Sequence, residues 1–127
     1  MSERRALVVE DSLLILVALE MILEMHGVEI VGTASTVAEA LALAETGAAD
    51  IAILDINLHN QMVYPVADLL IERGVPIVFT TGYAPEEILP ARYADIPAIR
   101  KPYDHDALMT LVEQAFALAK AHKAKAT

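Results

Sequence analysis

There is no cysteine among the 127 residues. Disulfides, thiolate catalysis and cysteine-ligated zinc are thereby excluded. Positive charge is scarce: nine lysines and arginines stand against 18 aspartates and glutamates, a formal net charge of −9. Such a chain repels phosphate backbones, whereas a nucleic-acid binder carries a basic face. The local exception, Lys120 to Lys125, reads as the solvated end of a last helix, with 122–127 as a frayed tail. No apolar run has the length of a membrane span. The longest, Leu13 to Leu19, is ended by Glu20. The opening residues, Met1-Ser2-Glu3-Arg4-Arg5, lack the apolar stretch and cleavage site of a signal peptide. The expected place is the cytoplasm, with neither membrane nor nucleic acid as partner.

What the chain does have is apolar content. Hydrophobic residues make up 56% of it, which supports a real core and argues against disorder. The length suits one domain, 1–127, and leaves no room for an effector domain. Short runs rich in Val and Ile alternate with longer helical patterns. The runs are Ala6 to Val9, Val28 to Val31, Ile51 to Leu54, Ile77 to Phe79 and Ala98-Ile99. The first helix is expected from about Ser12 to His26, stopped by Gly27. The second opens on Thr36-Val37-Ala38-Glu39, a capping box, and stops at Gly47. The third opens near Pro65 and stops at Gly74. The last is expected from about Asp104 to Ala121, with Leu108, Leu111, Val112 and Ala115 on one stripe. Pro85, Pro90 and Pro97 limit the fourth helix to a short or irregular piece, about Glu86 to Leu89. Met21 and Met25, four apart on the first helix, read as core. Strands alternating with helices predict an α/β fold, a doubly wound five-stranded parallel sheet of order 2-1-3-4-5.

The chemistry stands at the strand ends. The first strand ends in Glu10-Asp11, the third in Asp55, the fourth in Thr80-Thr81-Gly82, and Arg100-Lys101-Pro102 follows the fifth. Ligands bind open parallel sheets outside the carboxyl ends of the strands, at the switch in strand order. Three carboxylates, a hydroxyl and an ammonium therefore converge. Carboxylates that close together repel unless a cation is present. Oxygen ligands without His or Cys suit Mg²⁺. A carboxylate beside such a cation is a nucleophile toward phosphorus, with the ammonium and hydroxyl left to steady phosphoryl oxygens. A flavodoxin-like cofactor domain would need a Gly-, Ser- or Thr-rich phosphate loop after the first strand, and Glu10-Asp11 is the opposite. His26, His59, His105 and His122 have no ligand spacing. His59, in the loop after Asp55, either lines the pocket or is a plain loop residue.

At these residues the sequence resembles the receiver domains of response regulators over nearly the whole chain. The resemblance implies that Asp55 accepts a phosphoryl group, that Glu10, Asp11 and Asp55 hold Mg²⁺, and that a backbone carbonyl of Asn57 is a further ligand. It implies Thr81, directly before Gly82, as the hydroxyl and Lys101 as the ammonium. The Lys101-Pro102 peptide bond is often cis in the family. Phe79-Thr80-Thr81-Gly82-Tyr83 is similar to a subgroup marked by Phe-Ala-Thr-Gly-aromatic-Tyr, which includes stand-alone receivers and receivers of bacterial general stress responses. The family's usual switch aromatic is replaced here by Ala98, and Tyr83 is the candidate for that role. The implied partners are a histidine kinase or histidine phosphotransfer protein, and a downstream protein. The implied function is signalling and not turnover of a free substrate. The alternative is a degenerate receiver that binds partners without phosphorylation.

Overall fold

The computed structural model describes residues 4–126, without the side chains of Glu86 and of residues 124–126. Met1 to Glu3, on which the signal-peptide reading partly rests, and Thr127, at the end of the tail, lie outside the described residues.

In chain order, β1 (Arg5–Val9) leads into α1 (Leu13–Met25) and β2 (Glu29–Ala34) into α2 (Val37–Glu45). β3 (Ile51–Asp55) leads into a small hairpin, β4 (Asn57–Leu58) and β5 (Gln61–Met62), and then α3 (Tyr64–Glu72). β6 (Ile77–Thr81) is followed by a single helical turn, α4 (Pro85–Ile88), and a 3₁₀ turn over Ala91–Tyr93. β7 (Ala98–Arg100) and α5 (His105–Ala126) come last. The main sheet is parallel throughout and ordered β2-β1-β3-β6-β7. Numbered among the five main strands alone, that is the predicted 2-1-3-4-5.

Alternate strand residues feed two cores, because successive side chains leave a strand on opposite faces. Leu7, Val9, Ala52, Leu54 and Phe79 share one cluster with buried residues of α2 and α3. Ala6, Val8, Ile51, Ile53 and Val78 share the other with α1 and α5. β3 and β6 are buried along their full length, so neither carries a polar residue until Asp55 and Thr80.

Local chemistry sets the helix ends. Ser12 caps α1, its hydroxyl accepting the Ile15 N–H. Thr36 Oγ1 accepts the Glu39 N–H at 3.2 Å, and Glu39 Oε1 reaches back to the Ser35 N–H at 3.1 Å. The capping box thus closes one residue earlier than the sequence suggests. Gly74, after α3, has φ +73°, where any side chain would be strained.

Three expectations change. Met21 and Met25 are exposed, at 60% and 81%, and with Leu13, Leu14 and Val17 form an apolar stripe on α1. α1 carries only two charged residues, Glu20 and Glu24, so no polar face marked which side turns inward. β2 runs on to Ala34. α5 continues past 121 to Ala126, and Lys123 Nζ lies 2.6 Å from Asp50 Oδ1.

Candidate functional site

Glu10 follows β1 and Asp11 precedes the α1 cap, while Asp55 ends β3, the next strand in the sheet. One carboxylate oxygen from each lies within 4.8 Å of the others. Ser12, not Asp11, caps α1, which leaves the Asp11 carboxylate available to the site. Glu10 Oε2 accepts the Ser12 N–H at 3.0 Å, and this fixes its carboxylate inward. Lys101 follows β7. Its Nζ is 2.7 Å from Glu10 Oε1 and 3.0 Å from Asp55 Oδ2. Its backbone N–H donates to the Thr81 carbonyl at 2.7 Å, so β6 and β7 end side by side. The Lys101-Pro102 peptide bond is cis.

Thr81 and Thr80 are both buried. Thr80 is in register with Asp55. The Thr81 hydroxyl oxygen accepts the Tyr83 N–H at 3.0 Å, which sets the first turn of the loop after β6. Tyr83 itself is 56% exposed. Asn57 opens the hairpin and pairs with Met62. His59 and Asn60 form the hairpin tip with φ of 47° and 65°, the left-handed values a two-residue hairpin turn requires. That turn aims the His59 N–H at Asp11 Oδ2, at 3.0 Å, so the His59 backbone belongs to the wall of the site. The His-Asn pair was the available signal for the hairpin, since Asn and His tolerate this conformation.

The electrostatics follow from burial. Asp55 is pushed up to about 7, by burial first and the Glu10 charge second, against the pull of Lys101. Burial also works to raise Asp11, but the His59 N–H and hydrogen bonds to Glu10 and Asp55 outweigh it and hold the group below its ordinary value. Lys101 is held above its ordinary value, because its contacts with Glu10 and Asp55 overcome burial. Burial and two carboxylates, Glu10 and Asp55, sharing one ammonium favour retaining a proton on Asp55. The donor set fits a hard divalent cation: it offers carboxylate oxygens only, close together and partly buried. Mg²⁺ would find its ligands in Glu10, Asp11 and Asp55.

An aromatic cluster missed from the sequence sits behind β6. Tyr93 is fully buried. Its ring stacks on Tyr64 at 4.9 Å and meets Phe79 edge-on at 5.8 Å. Its hydroxyl donates to Asp68 Oδ1 and accepts from Arg92 Nη2 at 2.7 Å. The cluster ties the segment between β6 and β7 to α3, two residues from Thr81.

The family model for the response regulator receiver domain matches residues 6–113. The transcriptional regulatory protein PdtaR of Mycobacterium tuberculosis is 32% identical over 115 residues, 88% of this chain and 56% of that protein. The chain therefore spans little more than half the length of the curated relatives it matches. The solution structure of SdrG from Sphingomonas melonis is 40% identical, with a TM-score of 0.77 over 94% of this chain and 98% of that one. The response regulator PhyR from Brucella abortus is 30% identical, with a TM-score of 0.82 over 96% of this chain and 51% of that one. Since the family match runs from β1 into α5 and takes in every strand of the sheet, the chain belongs to the response regulator receiver domains of two-component signalling.

Proposed function

We propose that the protein accepts a phosphoryl group on Asp55 from a histidine kinase or histidine phosphotransfer protein, with Mg²⁺, and signals through the proteins it then binds. The observation that carries this reading is the convergence of Glu10, Asp11 and Asp55 within 4.8 Å, with Lys101 Nζ between Glu10 and Asp55. An Asp55 oxygen attacks phosphorus as the bond to the donor's nitrogen or oxygen breaks, and the leaving group takes the bonding electrons. Lys101 turns from Asp55 to a phosphoryl oxygen. The Thr81 hydroxyl donates to another, while still accepting the Tyr83 N–H. Mg²⁺, when bound, supplies positive charge that offsets the phosphoryl oxygens and the three carboxylates. Glu10 and Asp11 would hold it together with Asp55 and the Asn57 carbonyl. Asp11 is already oriented by the His59 N–H.

The added charge on Asp55 draws Lys101 and Thr81 toward it, and the loop that Thr81 and Tyr83 begin moves with them. Tyr83 is the switch residue in this reading. The downstream partner binds the face made by α4, β7 and α5. A place in a bacterial general stress response follows the resemblance at Phe79 to Tyr83 and the likeness to PhyR, which in Bartonella quintana is an anti-anti-sigma factor. The site is the cytoplasm, and no described helix is long and apolar enough to cross a membrane. The protein would catalyse only its own phosphorylation and dephosphorylation.

Incubation with acetyl phosphate and Mg²⁺, read by intact mass, separates this from a receiver that binds partners without phosphorylation. One phosphoryl group should appear on the wild type and none on Asp55→Asn. An unchanged wild-type mass under conditions that keep the protein folded would favour the degenerate reading.

A further inference from the structure

At the pole of the sheet opposite Asp55, two clefts meet between the end of α3 and the end of α5. One, of about 390 Å³, is mainly apolar and is lined by Ile71, Val75, Ile77, Ile96 and Leu118. The other, of about 570 Å³, is lined by Arg5, Arg73, His122 and Lys123 around Asp50. Gly74, Val75 and His122 line both, so the two form one groove, apolar at one end and cationic at the other.

Its walls are held in place. The Asp50 carboxylate accepts from Lys123 Nζ at 2.6 Å and from Arg5 Nε at 3.0 Å. His122 Nδ1 donates to the Gly74 carbonyl at 3.2 Å, and Arg73 Nη1 donates to the Glu45 carbonyl at 3.0 Å. Among the described residues that line this end, Arg5, Arg73 and Lys123 are cationic and Asp50 is the one carboxylate, in a chain of net charge −9. The apolar cleft has one carboxylate among its described lining residues, Asp95. Concentrated positive charge in a concave site focuses the field on an anion. An apolar wall beside it rewards a ligand that also carries hydrocarbon, and the size is that of ordinary small-molecule sites.

We propose that this groove binds a small amphiphile, its oxyanion head, a carboxylate or a phosphate, held by Arg73 and Lys123 and its apolar body lying along Val75, Ile96 and Leu118. The head is held by charge-assisted hydrogen bonds, for which Arg offers a planar fork. Neither contact involves the phosphoacceptor site, and the proposal stands whether or not Asp55 is phosphorylated.

Amide NMR titration of the full chain tests it, with four probes: decanoate, decyl phosphate, decyltrimethylammonium and acetate. Saturable shifts should centre on Val75, Ile96, His122 and Lys123 for both anionic amphiphiles, and the tighter of the two identifies the preferred head. Decyltrimethylammonium and acetate should bind at least about tenfold more weakly, since each lacks one half of the match. Arg73→Ala and Leu118→Ser should each weaken decanoate about tenfold, while Lys120→Ala, exposed on α5 and outside the groove, should leave it unchanged. Equal binding of the cationic amphiphile, shifts scattered away from the groove, or no effect of Arg73→Ala in protein shown to be folded by its spectrum would overturn the proposal.

Discussion

Asp55 is the residue on which the site's electrostatics converge. Burial and Glu10 push its carboxyl up to about 7, and Lys101 pulls the other way. Its folded pKa lies above its unfolded value, so the proton it carries favours the folded state. That contribution is present at low pH and is lost as pH rises through about 7. In metal-free protein, the difference in unfolding free energy between wild type and Asp55→Asn should therefore shift against the wild type between roughly pH 4 and pH 7. Carbon NMR of the Asp55 carboxyl should titrate near the same value and move down when Mg²⁺ is added. A carboxyl that titrates in the ordinary aspartate range without Mg²⁺ would remove the argument for repulsion. The residues of this site were legible because each stands at a strand end, where chain direction and sheet order bring them together. The His59 N–H on Asp11 was not, since it depends on a hairpin turn of only two residues.

Elements are held to one another by a few polar contacts, and two of them make predictions. Asp50 joins β1, the start of β3 and the end of α5 through Arg5 and Lys123. Burial works to raise its carboxyl, but Arg5 and Lys123 outweigh that and hold it below the ordinary range. Its stabilising effect is therefore present above about pH 4 and is lost as pH falls through the depressed value. Asp50→Asn should cost about 1 to 3 kcal/mol at neutral pH, measured by urea unfolding, and the deficit should shrink near pH 3. The second contact is the Tyr93 hydroxyl between Asp68 and Arg92. Tyr93→Phe should cost about 1 kcal/mol and speed amide exchange across 84–97, because the ring stays stacked on Tyr64 while the hydroxyl's bond to Asp68 of α3 is lost. Unchanged exchange there would mean that the ring alone holds the segment. Beryllofluoride should slow exchange between Thr81 and Lys101, and Tyr83→Ala should weaken that response. Protection confined to α2 would contradict the proposed switch. The sequence marked this segment only as proline-broken. Nothing local distinguishes Tyr93 from Tyr83; which of them is buried is settled by packing against Phe79 and Tyr64. In the same way α1, apolar almost all round, hid the exposure of Met21 and Met25.

The whole molecule is polarised. Glu10, Asp11 and Asp55 converge at one end of the sheet, and Arg5, Arg73 and Lys123 line a groove around Asp50 at the other. The sheet order and the main helices that separate them were legible, since β3 and β6 are apolar up to Asp55 and Thr80 and Gly27, Gly47 and Gly74 follow three helices. Mg²⁺ should stabilise the entire chain by relieving repulsion among Glu10, Asp11 and Asp55. At about ten times its dissociation constant it adds about 1.4 kcal/mol, and Asp11→Asn should remove most of the resulting rise in melting temperature. An equal rise in both proteins would place Mg²⁺ elsewhere. The central claim is that Asp55 carries the phosphoryl group, and chemical trapping tests it most directly. Borohydride reduces an aspartyl phosphate to homoserine, so protein treated with acetyl phosphate and Mg²⁺, then reduced and mapped by peptide mass spectrometry, should show homoserine at position 55. Reduction at Glu10 or Asp11 instead, or an unmodified position 55 in protein whose intact mass shows a phosphoryl group, would contradict the account.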